Sequence, residues 1–217
     1  MKRKIRKITA FIAVLAILIT LSVPMFSVGA RSENEIVARM YACSRWSGPP
    51  SLGHIWIYIE NLSDGDQKVG LYTMHKGEGV SLGCFGLTRS DGFGTHYNVE
   101  AYCGNKYGLS GTLSISCDLT AEKLSSVSNK VLNSNHWDPF FNCITFAFGV
   151  WNAGSSTQLP TFLVFPALAR LFIRMNGGKE GLTMYYPPAN RCYKQHGTGS
   201  SATLTVCVPG TLDSQVG

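Results

Sequence analysis

Gly53-His54-Ile55-Trp56-Ile57-Tyr58-Ile59-Glu60 decides how this chain is read, together with Asn142-Cys143-Ile144-Thr145-Phe146-Ala147 further along. The first stretch alternates. Ile55, Ile57 and Ile59 fall on one side, and His54, Trp56, Tyr58 and Glu60 on the other, the period of a half-buried strand. The second stretch puts a cysteine where a helix begins, with Asn142 able to cap it. A cysteine nucleophile needs a base within hydrogen-bond reach and a field that favours thiolate. A histidine at a strand start and a helix N-terminus supply one of each. If the helix opens instead at Asp138-Pro139, Cys143 lies a turn further in and the field weakens.

Downstream of the first stretch, residues 61–67 are polar and read as a turn, and residues 68–75 read as a returning strand. With Glu60 opposite Val69, antiparallel pairing brings His75 opposite His54. A slip of one residue would put Met74 there. A catalytic base must be held in one tautomer by a third polar group. The hairpin nominates His75, with Thr73, His96 and Glu100 as alternatives. His136 and His196 lie in loop-like contexts.

Elsewhere, Ser32-Glu33-Asn34-Glu35 has capping-box spacing and predicts a short helix over 33–41, with a strand over 36–43 as the alternative. Strands are expected over 80–85, 96–103 and 111–117. Thr120 caps a helix carrying Leu124, Val127, Val131 and Leu132 at helical spacing. A helix through Cys143 ends near Trp151, and a third spans 163–175 before Gly177-Gly178. The segment 181–217 is rich in Gly, Ser and Pro and holds one strand, over 202–208.

Residues 1–30 have the plan of a secretory signal: Lys2, Arg3, Lys4, Arg6 and Lys7, an uncharged apolar run over 8–23, and Val28-Gly29-Ala30 before Arg31. Pro24 and the length of the run speak against a spanning anchor. Five of the nineteen basic residues and none of the thirteen acidic ones lie there, so the +6 of the chain falls to +1 (fourteen minus thirteen) after cleavage. That balance, with no basic run remaining, argues against nucleic acid as a partner. All seven cysteines lie beyond residue 30. An exported chain can form disulfides, and an odd count leaves at least one thiol unpaired. No Cys-x-x-Cys occurs, Asp64-Gly65-Asp66 is too short for a calcium loop, and no phosphate-cradling glycine loop precedes a helix, so no metal or organic cofactor is expected. Asn61-Leu62-Ser63 fits the glycosylation pattern.

Gly-His on a first strand, a polar residue on the second and Asn-Cys-x-x-Phe on a later helix resemble the circularly permuted papain-like fold. This is the branch of the NlpC/P60 superfamily that includes lecithin:retinol acyltransferase-like proteins. The likeness runs over residues 54–152, and Asn142 to Asn152 followed by Pro166-Ala167-Leu168 looks like small secreted or envelope proteins of Gram-positive bacteria with this fold. It implies an α+β class, with an antiparallel sheet packed against helices over 31–180. It also implies Cys143 as nucleophile, His54 as base and His75 as the orienting group. Two departures stand out: Ile144-Thr145 replaces the Glu-His common in the acyltransferase branch, and His54 and His75 are far apart for a compact hairpin.

The expected activity is a secreted or surface-exposed thiol hydrolase, an amidase or peptidase acting on peptides of the bacterial envelope, with no membrane span once the signal is removed. Acyl transfer is the nearest enzymatic alternative. A catalytically inactive papain-like or disulfide-supported binding module is the other, with Trp46, Trp137, Tyr185 and Tyr186 as contact residues.

Overall fold

Ile36–Arg45 forms strand β1, buried at Val37, Ala38, Met40, Ala42 and Cys43 and paired on both sides. Its neighbours are β2 (His54–Asn61) and β7 (Leu113–Thr120), both antiparallel to it. The short helix expected over 33–41 is therefore not formed, and the strand alternative is the observed one. Apolar side chains on both faces and a partner on each edge outweigh a capping-box signal. In this computed structural model residues 35–45, 53–86, 92–108 and 111–210 are described. They belong to one compact unit, Glu33–Gly217. The signal-like segment and Trp46 lie outside the described residues.

Ile55, Ile57 and Ile59 point into the main core and are fully buried, each contributing about 1.5–3 kcal/mol by leaving water. Three helices cover that face: α2 (Ala121–Leu132), α3 (Cys143–Gly154) and α4 (Pro166–Met175). They present Leu124, Val127, Ile144, Phe148, Ala169 and Ile173 to it. Thr120 caps α2 as its sequence suggests, accepting from the Lys123 amide at 3.4 Å. The opposite face of β2 carries Trp56 and Tyr58, which pack with Cys43, Ala101 and Met184.

The expected hairpin is absent. β3 (Gln67–Val69) and β4 (Tyr72–Met74) pair only with each other, around a turn at Gly70 with φ +58°. The partner of β2 is instead β5 (Gly79–Phe85), with Ile57 opposite Leu82 and Glu60 opposite Gly79. Seven consecutive buried residues on β5 compete better for that edge than two three-residue strands. Asn61 ties down the excursion between them, donating to the carbonyls of Gly65 (2.8 Å) and Met74 (3.2 Å) and accepting from Ser63. The Asn61 side chain, the acceptor of the glycosylation pattern, is thus buried and engaged.

The strand expected over 96–103 stops early. β6 (Gly94–Tyr97) gives way at Asn98, whose left-handed φ of 67° turns the chain into helix α1 (Val99–Tyr107). Asparagine tolerates that conformation better than most residues. Glu100 and Ala101 therefore sit on a helix behind the sheet. The C-terminal segment supplies β9 (Tyr193–His196) as well as the expected strand, β10 (Thr203–Val206). With β8 (Lys179–Glu180), the eight strands run β10-β9-β6-β5-β2-β1-β7-β8, all neighbours antiparallel. The class is α+β with a large antiparallel sheet. Among the described residues no helix is long and apolar enough to cross a membrane.

Candidate active site

Two caps in succession set the position of Cys143. Asp138 Oδ1 accepts from the amides of Phe140 and Phe141, each at 2.7 Å, closing a turn before the helix. Asn142 then caps α3, its Oδ1 accepting from Ile144 (2.9 Å) and Thr145 (3.5 Å). Cys143 is the first helical residue, so the Asn142 start, and not the Pro139 start, is the one adopted. The next amide, that of Phe146, donates to the Asn142 carbonyl at 3.0 Å. Of the first-turn donors, the Cys143 amide is the one that Asn142 leaves unoccupied. The sulfur is a free, partly exposed thiol at the positive end of the helix dipole.

His54 opens β2 and is buried. Its ring lies between two partners. Cys143 acts on its basicity from one side, and its Nε2 is 3.0 Å from Glu100 Oε1. Phe85 stacks on the imidazole at 4.6 Å and 24°, and Trp56 lies near-parallel at 5.8 Å and 13°. Burial by itself pulls the basicity of His54 down. The hydrogen bonds to Cys143 and Glu100, and their charges, outweigh it and raise the pKa from 6.5 to about 9.

Glu100 is wholly buried, and its second oxygen accepts from Ser81 Oγ at 2.8 Å. Ser81 in turn accepts from the Ala101 amide at 3.0 Å, locking the carboxyl to both β5 and α1. Gly83 makes the room. A Cβ there would overlap Glu100 Oε1 and stand 2.9 Å from His54 Nε2. A lone glycine inside an apolar strand is a signal for such close approach, visible in the sequence at 80–85.

His75 is not part of this arrangement. It lies exposed past β4, with Nδ1 2.9 Å from Asp66 Oδ1, because the strand pair that would have carried it to His54 folds on itself. The carboxyl beside the His54 ring is that of Glu100, one of the three alternatives. Of the others, Thr73 is exposed on β4, and His96 is buried with Nδ1 2.9 Å from the Gly94 carbonyl. His136 pairs with Asp138 at 2.6 Å, and His196 with Thr205 at 2.7 Å.

The neighbouring thiols are differently placed. Cys84 is buried, donates to the His136 carbonyl at 3.2 Å, and is held well above the ordinary thiol range by burial and then by the charges of Cys143 and Glu100. Burial likewise pushes Cys43 up, and Cys117 to about 11. Among the described residues no three His, Cys, Asp or Glu side chains converge as a metal site requires. The aromatics considered for a binding surface divide. Trp137 packs on the core, Tyr185 donates from its amide to Tyr58 Oη at 2.7 Å, and Tyr186 is exposed.

Comparison with protein-family models, with curated proteins and with solved structures finds no match to this chain.

Proposed function

We propose that this chain is a cysteine hydrolase in which Cys143, His54 and Glu100 act as nucleophile, base and orienting carboxylate. The observation that carries this is one buried histidine whose Nε2 is 3.0 Å from a buried carboxyl and whose pKa is raised by a partly exposed helix-start thiol. His54 takes the proton of Cys143, and the thiolate attacks the carbonyl carbon of an amide or ester. The oxyanion is met by the Cys143 amide. His54 returns its proton to the leaving nitrogen or oxygen, which departs and leaves a thioester. Water, deprotonated by His54, then releases the acid and restores the thiol. The Glu100 charge stabilises the imidazolium and holds its tautomer.

The order His54, Glu100, Cys143 along the chain agrees with the permuted papain-like resemblance, with Glu100 filling the role first given to His75. The substrate class proposed with it is a peptide amide of the bacterial envelope, met outside the cell after signal cleavage. Iodoacetamide labelling followed by peptide mapping tests the chemistry without a known substrate. Cys143 should react first, and at least tenfold more slowly in His54→Ala, while the buried Cys43 and Cys84 stay silent until the protein unfolds. Equal labelling of Cys143 with and without His54 would make the chain a binding module instead.

A further inference from the structure

Cys103 on α1, Cys192 just before β9 and Cys207 just after β10 are buried together with Phe85 and Val99 in one small cluster. The hairpin register sets two of the three against each other. Tyr193 lies opposite Val206 and Lys194 opposite Thr205, so one step further puts Cys192 opposite Cys207. The Cys207 amide keeps to that register, donating to the Cys192 carbonyl at 3.0 Å. Opposed residues of an antiparallel pair share a face, and both side chains enter the same cluster. A hydrogen-bonded pair of this kind has Cα atoms about 5.5 Å apart, a separation that a disulfide spans without moving the backbone.

Among the described strands no other cysteine faces a cysteine. Cys43 lies opposite Trp56 and Ser114, Cys84 opposite Thr95 and Cys117 opposite Met40. Cys103 comes from a helix, and its Sγ donates to the Gly210 carbonyl at 3.5 Å. The Cys192 Sγ donates to the Asn98 carbonyl at 3.5 Å, a contact that ends when the thiol gives up its proton. The place also suits a covalent tie. β10 is the last strand of the sheet, its partner there is β9, and none of its four residues is buried. Cys207 is the first buried residue after it. The β9 side is already anchored: Arg191 pairs with Glu78, and its carbonyl accepts from Asn98 at 2.9 Å.

We infer that Cys192 and Cys207 form a disulfide that fastens this edge strand to the anchored one, with Cys103 outside the bond. The oxidant is an external disulfide. The Cys207 thiolate attacks one of its sulfurs and expels a thiolate, and the Cys192 thiolate then attacks the Cys207 sulfur and expels the second. Two cysteine thiols and one external disulfide become one cysteine disulfide and two external thiols, which take the two protons. Both sulfurs are buried in the folded chain, so the exchange takes place before β10 docks. The surroundings it needs are those expected of an exported chain. Cys143 has no part in it, so the bond stands or falls apart from the chemistry assigned to that thiol.

The test refolds the full chain at pH 8 with glutathione disulfide and glutathione, blocks the remaining thiols with N-ethylmaleimide in guanidinium, and digests with trypsin. Cleavage after Arg191 and Lys194 separates the two cysteines. The bond should appear as the peptide 192–194 linked to the peptide 195–217, parting on reduction, and Cys103→Ser should keep that linked pair. The loop closed is about 15 residues, so reducing the native protein should move its folding equilibrium roughly a hundredfold toward the unfolded state. A lower urea midpoint reads this, and Cys192→Ser with Cys207→Ser should make the midpoint insensitive to reductant. Recovery of both peptides with N-ethylmaleimide on each cysteine, or Cys103 joined to either one, would overturn the inference. So would a linked pair whose reduction leaves the urea midpoint unmoved.

Discussion

Replacing Glu100 by glutamine keeps the side chain's size and removes the charge behind His54. In the native protein His54 holds its proton up to about 9 instead of 6.5, a difference worth roughly 3 kcal/mol at about 1.36 kcal/mol per unit. Burial opposes that gain, while Cys143 and Glu100 produce it. A hydrogen bond to a charged group contributes about 1.5–3 kcal/mol, so Glu100→Gln should lower the His54 midpoint by roughly one to two units. Proton–carbon NMR of the ring reads this directly. The chain has five histidines, and the signal missing from His54→Asn identifies the one that matters. The linkage has a definite sign. Because the folded value is raised, the stabilisation is complete below 6.5 and is lost as pH climbs through about 9. The urea midpoint of the native protein should therefore fall across that window, and less steeply in Glu100→Gln. A native His54 that titrates near 6.5, or a folded Glu100→Gln with an unmoved midpoint, would refute the reasoning.

Other substitutions probe the same construction. Gly83→Ala drives a methyl group into the Glu100–His54 contact and should cost about 1–3 kcal/mol in urea denaturation, with slower alkylation of Cys143. Asn142→Ala removes the α3 cap, costing about 1 kcal/mol and lowering thiol reactivity at pH 7, both readable on one preparation. His75→Ala removes only an exposed pair with Asp66, so Cys143 alkylation and the His54 titration should match the native protein. A tenfold slower alkylation there would restore His75 to the site.

Much of the framework was legible because it is local. The isoleucine alternation in 54–60 marks one face of β2 for burial, and Thr120 and Asn142 announce their helices by a side-chain oxygen placed to meet first-turn amides. The strand register was not legible. Residues 68–75 alternate well enough to be a partner for β2, yet the choice between them and β5 is a competition for one edge. It is settled by β5's unbroken burial and by the Asn61 clasp, neither of which is a property of the hairpin alone. Glu100 shows the same limit. In a strand over 96–103 it would have been one more surface carboxylate. The left-handed turn at Asn98 puts it on a helix, behind the sheet.

What the sequence by itself determined is the pair of termini that matter, a histidine at the start of a strand and a cysteine at the start of a helix. Both follow from short-range periodicity and capping. Only the tertiary structure decided what holds the histidine, because Glu100, Ser81 and Gly83 come from separate elements. They meet His54 through the pairing of β5 with β2 and the packing of α1 behind them, so their energies exist only once those surfaces are in contact.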